Sequence, residues 1–288
     1  LLLREVGPRD GLQNEGHNIP TDIKVRFIEF LWSTGVPYLE VTSFVNPSWI
    51  PQLADADEVF SRVRHLSEAG RKMVALVPNM RGYERARAVG CENIAVFTSA
   101  SERFNMKNTN ARIDESLSRF RTICQKAEQE NIWVRGYIST AFSCPYAGQI
   151  DPEVVATVAT ELADMGCSEV VISDTTGQAH PDQVSRVVDR VLAQVPKEVL
   201  ALHMHNTEGR ALANIEEGWK MGIRRYDSAT GGLGGCPYSP GASGNIGTEA
   251  LLTHFKKLGI ETQMDVQGFE RATEFIGAHI PGLNERSN

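Results

Sequence analysis

The sequence predicts an α/β fold, a closed (β/α)8 barrel, and three observations lead to that prediction. Eight short apolar or β-branched runs recur along the 288 residues, and segments with helical periodicity separate them. Alternating strands and helices are typical of a parallel sheet, and eight such units favour a closed barrel. No Gly-x-Gly-x-x-Gly follows the first run, which argues against an open dinucleotide-binding sheet. The predicted strands cover residues 1–7, 38–44, 73–78, 93–98, 133–139, 169–174, 200–205 and 225–229.

Helix-end signals support the segments between these strands. Thr21 can cap one helix, and Asp151 followed by Pro152 begins another. Residues 247–288 have a helical pattern, which predicts extra C-terminal helices packed on the barrel exterior or on one rim. Since no low-complexity linker interrupts the sequence, we predict one TIM-barrel domain for the whole chain, 1–288.

Composition and charge exclude several classes of protein. The chain is 41% hydrophobic and 23% charged, and its formal net charge of −7 argues against a nucleic-acid partner. No run approaches the ~18 apolar residues of a membrane span, so no membrane partner is expected. Five scattered cysteines without a Cys-x-x-Cys indicate a reducing compartment. We expect a cytoplasmic protein, or one of the mitochondrial matrix if a leader was removed.

Two histidines stand close together at the end of the seventh predicted strand. His203 and His205 are separated by one residue, and side chains two apart on a strand point the same way. Both imidazoles can therefore reach one ion, and imidazole is the commonest metal-ligating side chain. For a His-x-His motif alone, two satisfied histidines packed at a strand end would be the better interpretation. Polar residues at the ends of other predicted strands favour the metal site.

The carboxyl ends of the strands converge at the mouth of such a barrel, where active sites lie. We predict that Asp10, after the first strand, and Asn245, after the eighth, join His203 and His205 as metal ligands. This N/O set suits an octahedral divalent cation, Mg²⁺ or Mn²⁺, and zinc is an alternative. Taken alone, Asp10 could equally be a turn or cap residue, and Asn245 would be a helix cap. A capping role for Asn245 is compatible with metal binding.

Charged and thiol side chains complete the predicted mouth. Arg9 supplies a fixed fork of donors for a developing oxyanion, or it pairs with Glu40 or Asp174, which would orient the guanidinium. Cys236 follows a glycine-rich loop that can approach a ligand, which makes it a candidate acid/base or reactive thiol. The alternative for Cys236 is a small packed residue, which is our interpretation of the other four cysteines.

Several long segments match a known enzyme family. They are Val-Gly-Pro-Arg-Asp-Gly-Leu-Gln-Asn-Glu at 6–15, Glu-Val-Thr-Ser-Phe at 40–44, Val-Arg-Gly-Tyr at 134–137, Gly-Leu-Gly-Gly-Cys-Pro-Tyr at 232–238 and Gly-Ala-Ser-Gly-Asn at 241–245. With these segments the chain resembles 3-hydroxy-3-methylglutaryl-CoA (HMG-CoA) lyase, of the DRE-TIM metallolyases. The resemblance covers nearly the whole chain.

The resemblance implies a barrel with one divalent cation and a retro-Claisen cleavage of a 3-hydroxyacyl-CoA. For the expected substrate the products are acetyl-CoA and acetoacetate. The implied metal ligands are Asp10, His203, His205 and Asn245. The implied catalytic residues are Arg9, Asp10, Glu40, Asp174, His203 and Cys236, with Asp10 or His203 as the base and Glu249 in a supporting role. The residues that we predict to contact the substrate are Arg9, Gln13, Ser43 and Arg135. Arg103 and Lys107 are candidates for the CoA phosphates, with a solvated surface as the alternative, and we expect a homo-oligomer, a dimer.

The segment around the paired histidines departs from the family pattern, which usually reads His-x-His-Asp-Thr-aromatic-Gly. Asn206 replaces the acid and Glu208 replaces the aromatic residue. These departures keep the metal ligands but leave the acyl group open. The alternatives are a lyase for another branched acid thioester, such as citramalyl-CoA, and a Claisen synthase that runs in the condensing direction. A non-catalytic acyl-CoA-binding barrel is a different class, and metal-dependent turnover would rule it out.

Overall fold

The computed structural model, which describes residues 1–234, 244–281 and 283, contains a closed barrel of eight parallel strands. Each strand pairs with its neighbours in chain order, and the first closes on the last. The strands are β1 (Leu2–Glu5), β2 (Tyr38–Ser43), β3 (Lys72–Leu76), β4 (Asn93–Ser99), β5 (Trp133–Ser139), β6 (Glu169–Asp174), β7 (Leu200–Met204) and β8 (Arg225–Ser228). The predicted (β/α)8 TIM barrel is confirmed.

Helices connect the strands and cover the outside of the barrel. They are α1 (Thr21–Ser33), α2 (Ala56–Val63), α3 (Met80–Ala88), α4 (Glu102–Thr109), α5 (Ile113–Gln129), α6 (Pro152–Asp164), α7 (Pro181–Leu192), α8 (Ala211–Lys220), α9 (Thr248–Lys257) and α10 (Val266–Gly277). The C-terminal helix α10 packs on α1, where the rings of Phe275 and Phe30 lie 5.1 Å apart. Within the described ranges, no helix has the length and apolar character that crossing a membrane requires.

The two predicted helix caps have different outcomes. The carboxylate of Asp151 accepts the backbone N–H of Glu153 at 3.0 Å, which confirms it as the cap of α6. The cap assigned to Thr21 is wrong, because Pro20 occupies the cap position and Thr21 is already the first helical residue. Its hydroxyl instead donates to Asp55 at 2.7 Å and ties the start of α1 to the start of α2.

The inside of the barrel holds buried charges as well as apolar side chains. Arg135 and Glu169 are at most 1% exposed. Glu169 pairs with Arg4 at 2.7 Å, with Arg135 at 2.8 Å and with Arg225 at 3.1 Å. Buried charges are costly unless they are paired. These ion pairs therefore compensate the buried charges at the amino end of the barrel. The site lies at the opposite, carboxyl end.

Candidate active site

Asp10, His203 and His205 come together at the carboxyl end of the barrel. One potential ligand atom from each residue lies within 4.8 Å of the other two. The two imidazole centroids are 5.0 Å apart, and Nε2 of His203 is 3.9 Å from Oδ2 of Asp10. Three of the four predicted metal ligands therefore converge on one point.

A single π-helical turn after β1 delivers Asp10 to this point. The first strand was predicted to reach residue 7, but it ends at Glu5, and Gly7–Gly11 forms the turn with Pro8 near its start. π-Helical turns are rare and frequently occur at functional sites. The turn places Arg9 and Asp10 side by side on the rim, where both line the cavity described below.

The fourth predicted ligand, Asn245, lies against the same cluster. A backbone bridge pairs Asn245 with His205, and its Nδ2 donates to Asp10 at 2.8 Å and to the carbonyl of Leu233 at 3.1 Å. Gly234 has φ of 99°, and a Cβ there would lie 2.9 Å from that Nδ2, so a side chain would displace the amide. A half-turn of the carboxamide directs its oxygen toward the cluster, where it can serve as a ligand.

The ionisation states of this cluster fit a divalent cation. Burial, with the charge of His203 as a second cause, lowers the pKa of His205 to about 4, which leaves a free imidazole lone pair at neutral pH. Burial alone would raise the pKa of Asp10, but Arg9 and the imidazoles together hold it below its usual range. A neutral imidazole and an ionised carboxylate are the metal-binding forms of these groups. Without a thiolate, the set suits Mg²⁺, Mn²⁺ or zinc.

The guanidinium of Arg9 is held in one orientation by two carboxylates. Its Nε donates to Glu40 at 2.8 Å and its Nη1 to Asp10 at 2.5 Å. The other oxygen of Glu40 accepts a hydrogen bond from the hydroxyl of Tyr137, and the guanidinium lies 5.5 Å from the centre of the Tyr137 ring. Arg9 therefore presents fixed donors beside the metal-binding cluster.

Asp174 does not take its predicted place beside Arg9. Its carboxylate accepts the backbone N–H groups of residues 177–179 at 2.9 to 3.3 Å. In the described part of the chain, Arg9 forms its ion pairs with Asp10 and Glu40. The chain turns back directly after β6 and wraps its amide groups around this carboxylate, as aspartates in turns commonly allow. Asp174 thus fixes the loop after β6, and Glu40 orients the guanidinium.

A cavity of about 510 Å³ opens beside the cluster, and its walls include Arg9 and Gln13. These two predicted substrate contacts therefore lie at the cavity. Ser43 and Arg135 are fully buried and are not among the described lining residues. The hydroxyl of Ser43 donates to the carbonyl of Leu76 at 3.3 Å. Neither side chain is therefore on the described cavity wall, and their contact with substrate stays a prediction.

The basic residues near the mouth are distributed differently from the prediction. Arg103 and Lys107 border a separate shallow groove with Tyr146, where Arg103 donates to its carbonyl at 2.9 Å and Lys107 lies 3.9 Å from its ring centre. Arg119, on α5, lines the cavity itself and was missed. Nothing in the sequence distinguishes Arg119 from Arg121, two residues further along α5. Arg121 instead pairs with Glu161 on the surface of α6.

The buried side chain of Asp227 behind the site was also missed, and so was the contact that Arg135 makes with it. Asp227 is the register neighbour of His203, whose Nδ1 lies 3.0 Å from its carboxylate. Arg135 donates to the hydroxyl of Tyr137 at 2.6 Å and pairs with Asp227. A continuous buried network therefore runs from Glu40, the partner of the guanidinium, to His203. The spacing of Arg135 and Tyr137 on one strand was the available signal, since residues two apart share a face.

Cys236 lies outside the described residues, so its role stays a prediction. The described part of its loop begins with the turn Thr230–Gly232. Glu249 accepts the hydroxyl of Thr230 at 2.8 Å and the backbone N–H of Gly231 at 3.0 Å. Glu249 thus holds the start of the loop that carries the cysteine.

The two departures from the family pattern are not among the described residues that line the cavity. Oδ1 of Asn206 accepts the backbone N–H of Ala211 at the start of α8, at 3.2 Å, a role that an aspartate would also fill. Glu208 pairs with Arg210, which in turn donates to the carbonyl of Ala179 at 3.1 Å. Both residues therefore secure the loops after β6 and β7.

The fold and the site together define a class: a (β/α)8 barrel with a candidate divalent-cation site at the carboxyl ends of its strands. The chain belongs to the HMGL-like family, whose model matches residues 1–276. It is 45% identical over 276 residues to the mitochondrial hydroxymethylglutaryl-CoA lyase of Arabidopsis thaliana. That alignment covers 96% of this chain and 58% of the plant protein, so the chain spans little more than half of that relative.

Solved structures of related proteins also indicate a similarity to HMG-CoA lyases. The HMG-CoA lyase of Brucella melitensis superimposes with a TM-score of 0.93 at 43% identity, covering 96% of this chain and 98% of that one. An HMG-CoA lyase of Acinetobacter baumannii, in complex with coenzyme A and 3-methylmalate, superimposes with a TM-score of 0.90 at 37% identity. That comparison covers 96% of this chain and 90% of the other. The predicted resemblance to HMG-CoA lyases is confirmed.

Proposed function

We propose that this chain is a carbon–carbon lyase that cleaves HMG-CoA to acetyl-CoA and acetoacetate with the help of a divalent cation. The observation that carries the proposal is the convergence of Asp10, His203 and His205 beside the fixed guanidinium of Arg9, at the wall of one cavity. The related lyases are named for this substrate, and one was solved with coenzyme A, which supports an acyl-CoA here.

The cation site consists of Asp10, His203 and His205, with the amide oxygen of Asn245 as the fourth protein ligand. A bound Mg²⁺ or Mn²⁺ supplies Lewis-acid polarisation, which lowers the pKa of the substrate 3-hydroxyl. Oxygen ligands and the absence of thiolates favour these two ions, and zinc is the alternative.

Each remaining step of the reaction is assigned to a side chain around the cavity. Of the two predicted bases, Asp10 removes the proton of the 3-hydroxyl, since it lines the cavity and keeps a second carboxylate oxygen, whereas the Nε2 lone pair of His203 is used for the cation. The carbon–carbon bond then breaks, one fragment becomes the ketone of acetoacetate, and the other becomes the enolate of acetyl-CoA. Arg9, oriented by Glu40, donates to the enolate oxygen, a contribution worth about 10²–10³ in rate for donors of this kind. Cys236 returns a proton to the enolate carbon.

The positions of Asn206 and Glu208 support HMG-CoA over other branched thioesters. Asn206 accepts the backbone N–H of Ala211 and Glu208 pairs with Arg210, so the departures from the family pattern have local structural partners. Neither residue is among the described residues on the cavity wall. The two departures therefore give no reason to choose a thioester other than the one for which the related lyases are named.

A substrate panel tests the proposal. The protein is treated with EDTA, reloaded with Mg²⁺ or Mn²⁺, and incubated with HMG-CoA or citramalyl-CoA, and acetyl-CoA and acetoacetate are quantified by mass spectrometry. We expect metal-dependent release from HMG-CoA. Release from citramalyl-CoA alone would refute the choice of substrate, and condensation of acetyl-CoA with a 2-oxo acid without cleavage would identify a synthase.

A further inference from the structure

Asp227 lies directly behind His203 and contacts the side of the imidazole that faces away from the cluster. The two residues are register neighbours on β8 and β7, and Oδ2 of Asp227 lies 3.0 Å from Nδ1 of His203. On the opposite side of the ring, Nε2 of His203 faces Asp10 at 3.9 Å. Asp227 is 1% exposed and is not among the described residues on the cavity wall.

The partners of Asp227 determine which nitrogen of His203 carries the proton. Arg135 pairs with Oδ1 of Asp227, and a carboxylate paired with a guanidinium can only accept hydrogen bonds. Nδ1 of His203 must therefore donate to Oδ2. In a neutral imidazole the lone pair then belongs to Nε2, the nitrogen that faces the metal-binding cluster.

Arg135 gives Asp227 a rigid support. Its guanidinium is fully buried and lies 4.9 Å and 4.7 Å from the ring centres of Tyr38 and Tyr137. It also contacts Glu169 at 2.8 Å and donates to the hydroxyl of Tyr137 at 2.6 Å. With its partners on several sides, Arg135 holds the carboxylate of Asp227 in one position below the imidazole.

We propose that Asp227 is a positioning residue that fixes His203 as its Nδ1–H tautomer and directs Nε2 into the cation site. The inference rests on the proposed cation-dependent function, and it adds a residue that touches neither the substrate cavity nor the cation. Carboxylates behind metal-binding histidines commonly hold ring orientation and basicity, and their loss weakens metal affinity about 10- to 100-fold.

The first test measures Mn²⁺ affinity by electron paramagnetic resonance on EDTA-treated protein. Asp227→Ala should bind Mn²⁺ about 10- to 100-fold more weakly than wild type, and Asp227→Asn should lose less, because its amide oxygen can still accept from Nδ1. The matched controls are Asp55→Ala and Asp55→Asn, which remove a carboxylate that is paired with Lys24 in the outer layer. These controls should retain wild-type affinity.

The second test needs no variant of Asp227. Histidine-selective ¹⁵N NMR of the metal-free wild type, with His203→Gln for assignment, reports the tautomer directly. An Nδ1–H tautomer supports the proposal, and an Nε2–H tautomer overturns it even if both Asp227 variants fail to fold. Wild-type Mn²⁺ affinity in folded Asp227→Ala also overturns it and leaves the proposed function standing. A wild type that binds no Mn²⁺ overturns the cation site, and the inference with it.

Discussion

At the scale of single residues, the proposed mechanism depends on the fixed charge of Arg9. The side chain is 6% exposed and is held by Glu40 and Asp10. A guanidinium oriented before the reaction needs no reorganisation when charge develops on an oxyanion. Burial makes the same contact stronger than it would be in water, because solvent screening is reduced.

Arg9→Met should lower kcat for HMG-CoA cleavage about 10²–10³-fold, because the enolate oxygen loses its donors. Steady-state kinetics at saturating Mn²⁺ measures the effect. Arg186→Met is the matched control, since Arg186 is an exposed residue of α7 that pairs with Asp182. A kcat of Arg9→Met within a few-fold of the control would remove the guanidinium from the mechanism.

Cys236→Ala should reduce turnover far more than Cys167→Ala. The first variant removes the proposed proton donor, and general acids of this kind contribute about 10²–10⁴ in rate. Cys167 is 4% exposed and belongs to the apolar core, so its replacement should affect stability more than kcat. Equal kcat values for the two variants would show that the thiol has no chemical role.

At the scale of elements, one buried carboxyl group joins the loops that follow β1 and β8. Glu5 accepts the backbone N–H groups of Gly7 at 2.8 Å and Thr230 at 3.0 Å, and the hydroxyl of Thr248 at 2.6 Å. Burial raises the pKa of Glu5 to about 8, although these donors oppose the rise. The junction should therefore be sensitive to pH.

Glu5→Gln tests this sensitivity. An acid whose pKa is raised by folding contributes its full stability below its unfolded pKa, near 4.5, and loses it as pH rises through about 8. The free energy of unfolding of Glu5→Gln relative to wild type should therefore rise by about 1.4 kcal/mol per pH unit between roughly pH 5.5 and 7.5. Urea unfolding across this range provides the values. A pH-independent difference would mean that Glu5 is already ionised in the folded protein.

The sequence predicted elements better than it predicted contacts. Apolar runs located all eight strands because burial on both faces leaves a local signature. The first strand was drawn too long because Val6 and Gly7 continue an apolar run, whereas the chain there already enters its π-helical turn. Asp174 was predicted to lie beside Arg9 because it stands at a strand end. No local sequence pattern predicts that its carboxylate accepts backbone N–H groups of the following loop instead.

Part of the site depends on register between strands distant in sequence. Asp227 was missed because it belongs to no motif and lies before the glycine-rich segment. Its contact with His203 exists because β7 and β8 pair with these residues side by side. Asp10 and Asn245 were predicted to meet because each follows a strand at the mouth of the expected barrel, although 235 positions separate them.

At the scale of the whole molecule, closure of the barrel creates the candidate cation site. Asp10 follows β1, and Asn245 follows β8, so these ligands meet only when the first strand pairs with the last. The unfolded chain keeps no such arrangement. A cation that binds only the folded state stabilises it by RT ln(1 + [M]/Kd).

Mn²⁺ should therefore stabilise the metal-free protein against unfolding, by about 2.7 kcal/mol at a concentration one hundred times its Kd. Thermal and urea unfolding with and without MnCl₂ would show the effect. Asp10→Ala should abolish most of it, whereas Asp189→Ala, at an exposed position on α7, should leave it intact. Equal stabilisation of both variants would place the ion elsewhere.

The central claim is that one cation is bound by Asp10, His203, His205 and Asn245. Anomalous diffraction from crystals grown with Mn²⁺ tests it most directly. The account predicts one strong peak at about 2 Å from a carboxylate oxygen of Asp10, a nitrogen of each imidazole and the amide oxygen of Asn245. A peak elsewhere, or an occupied site with Asp10 or Asn245 turned away from it, would contradict the account.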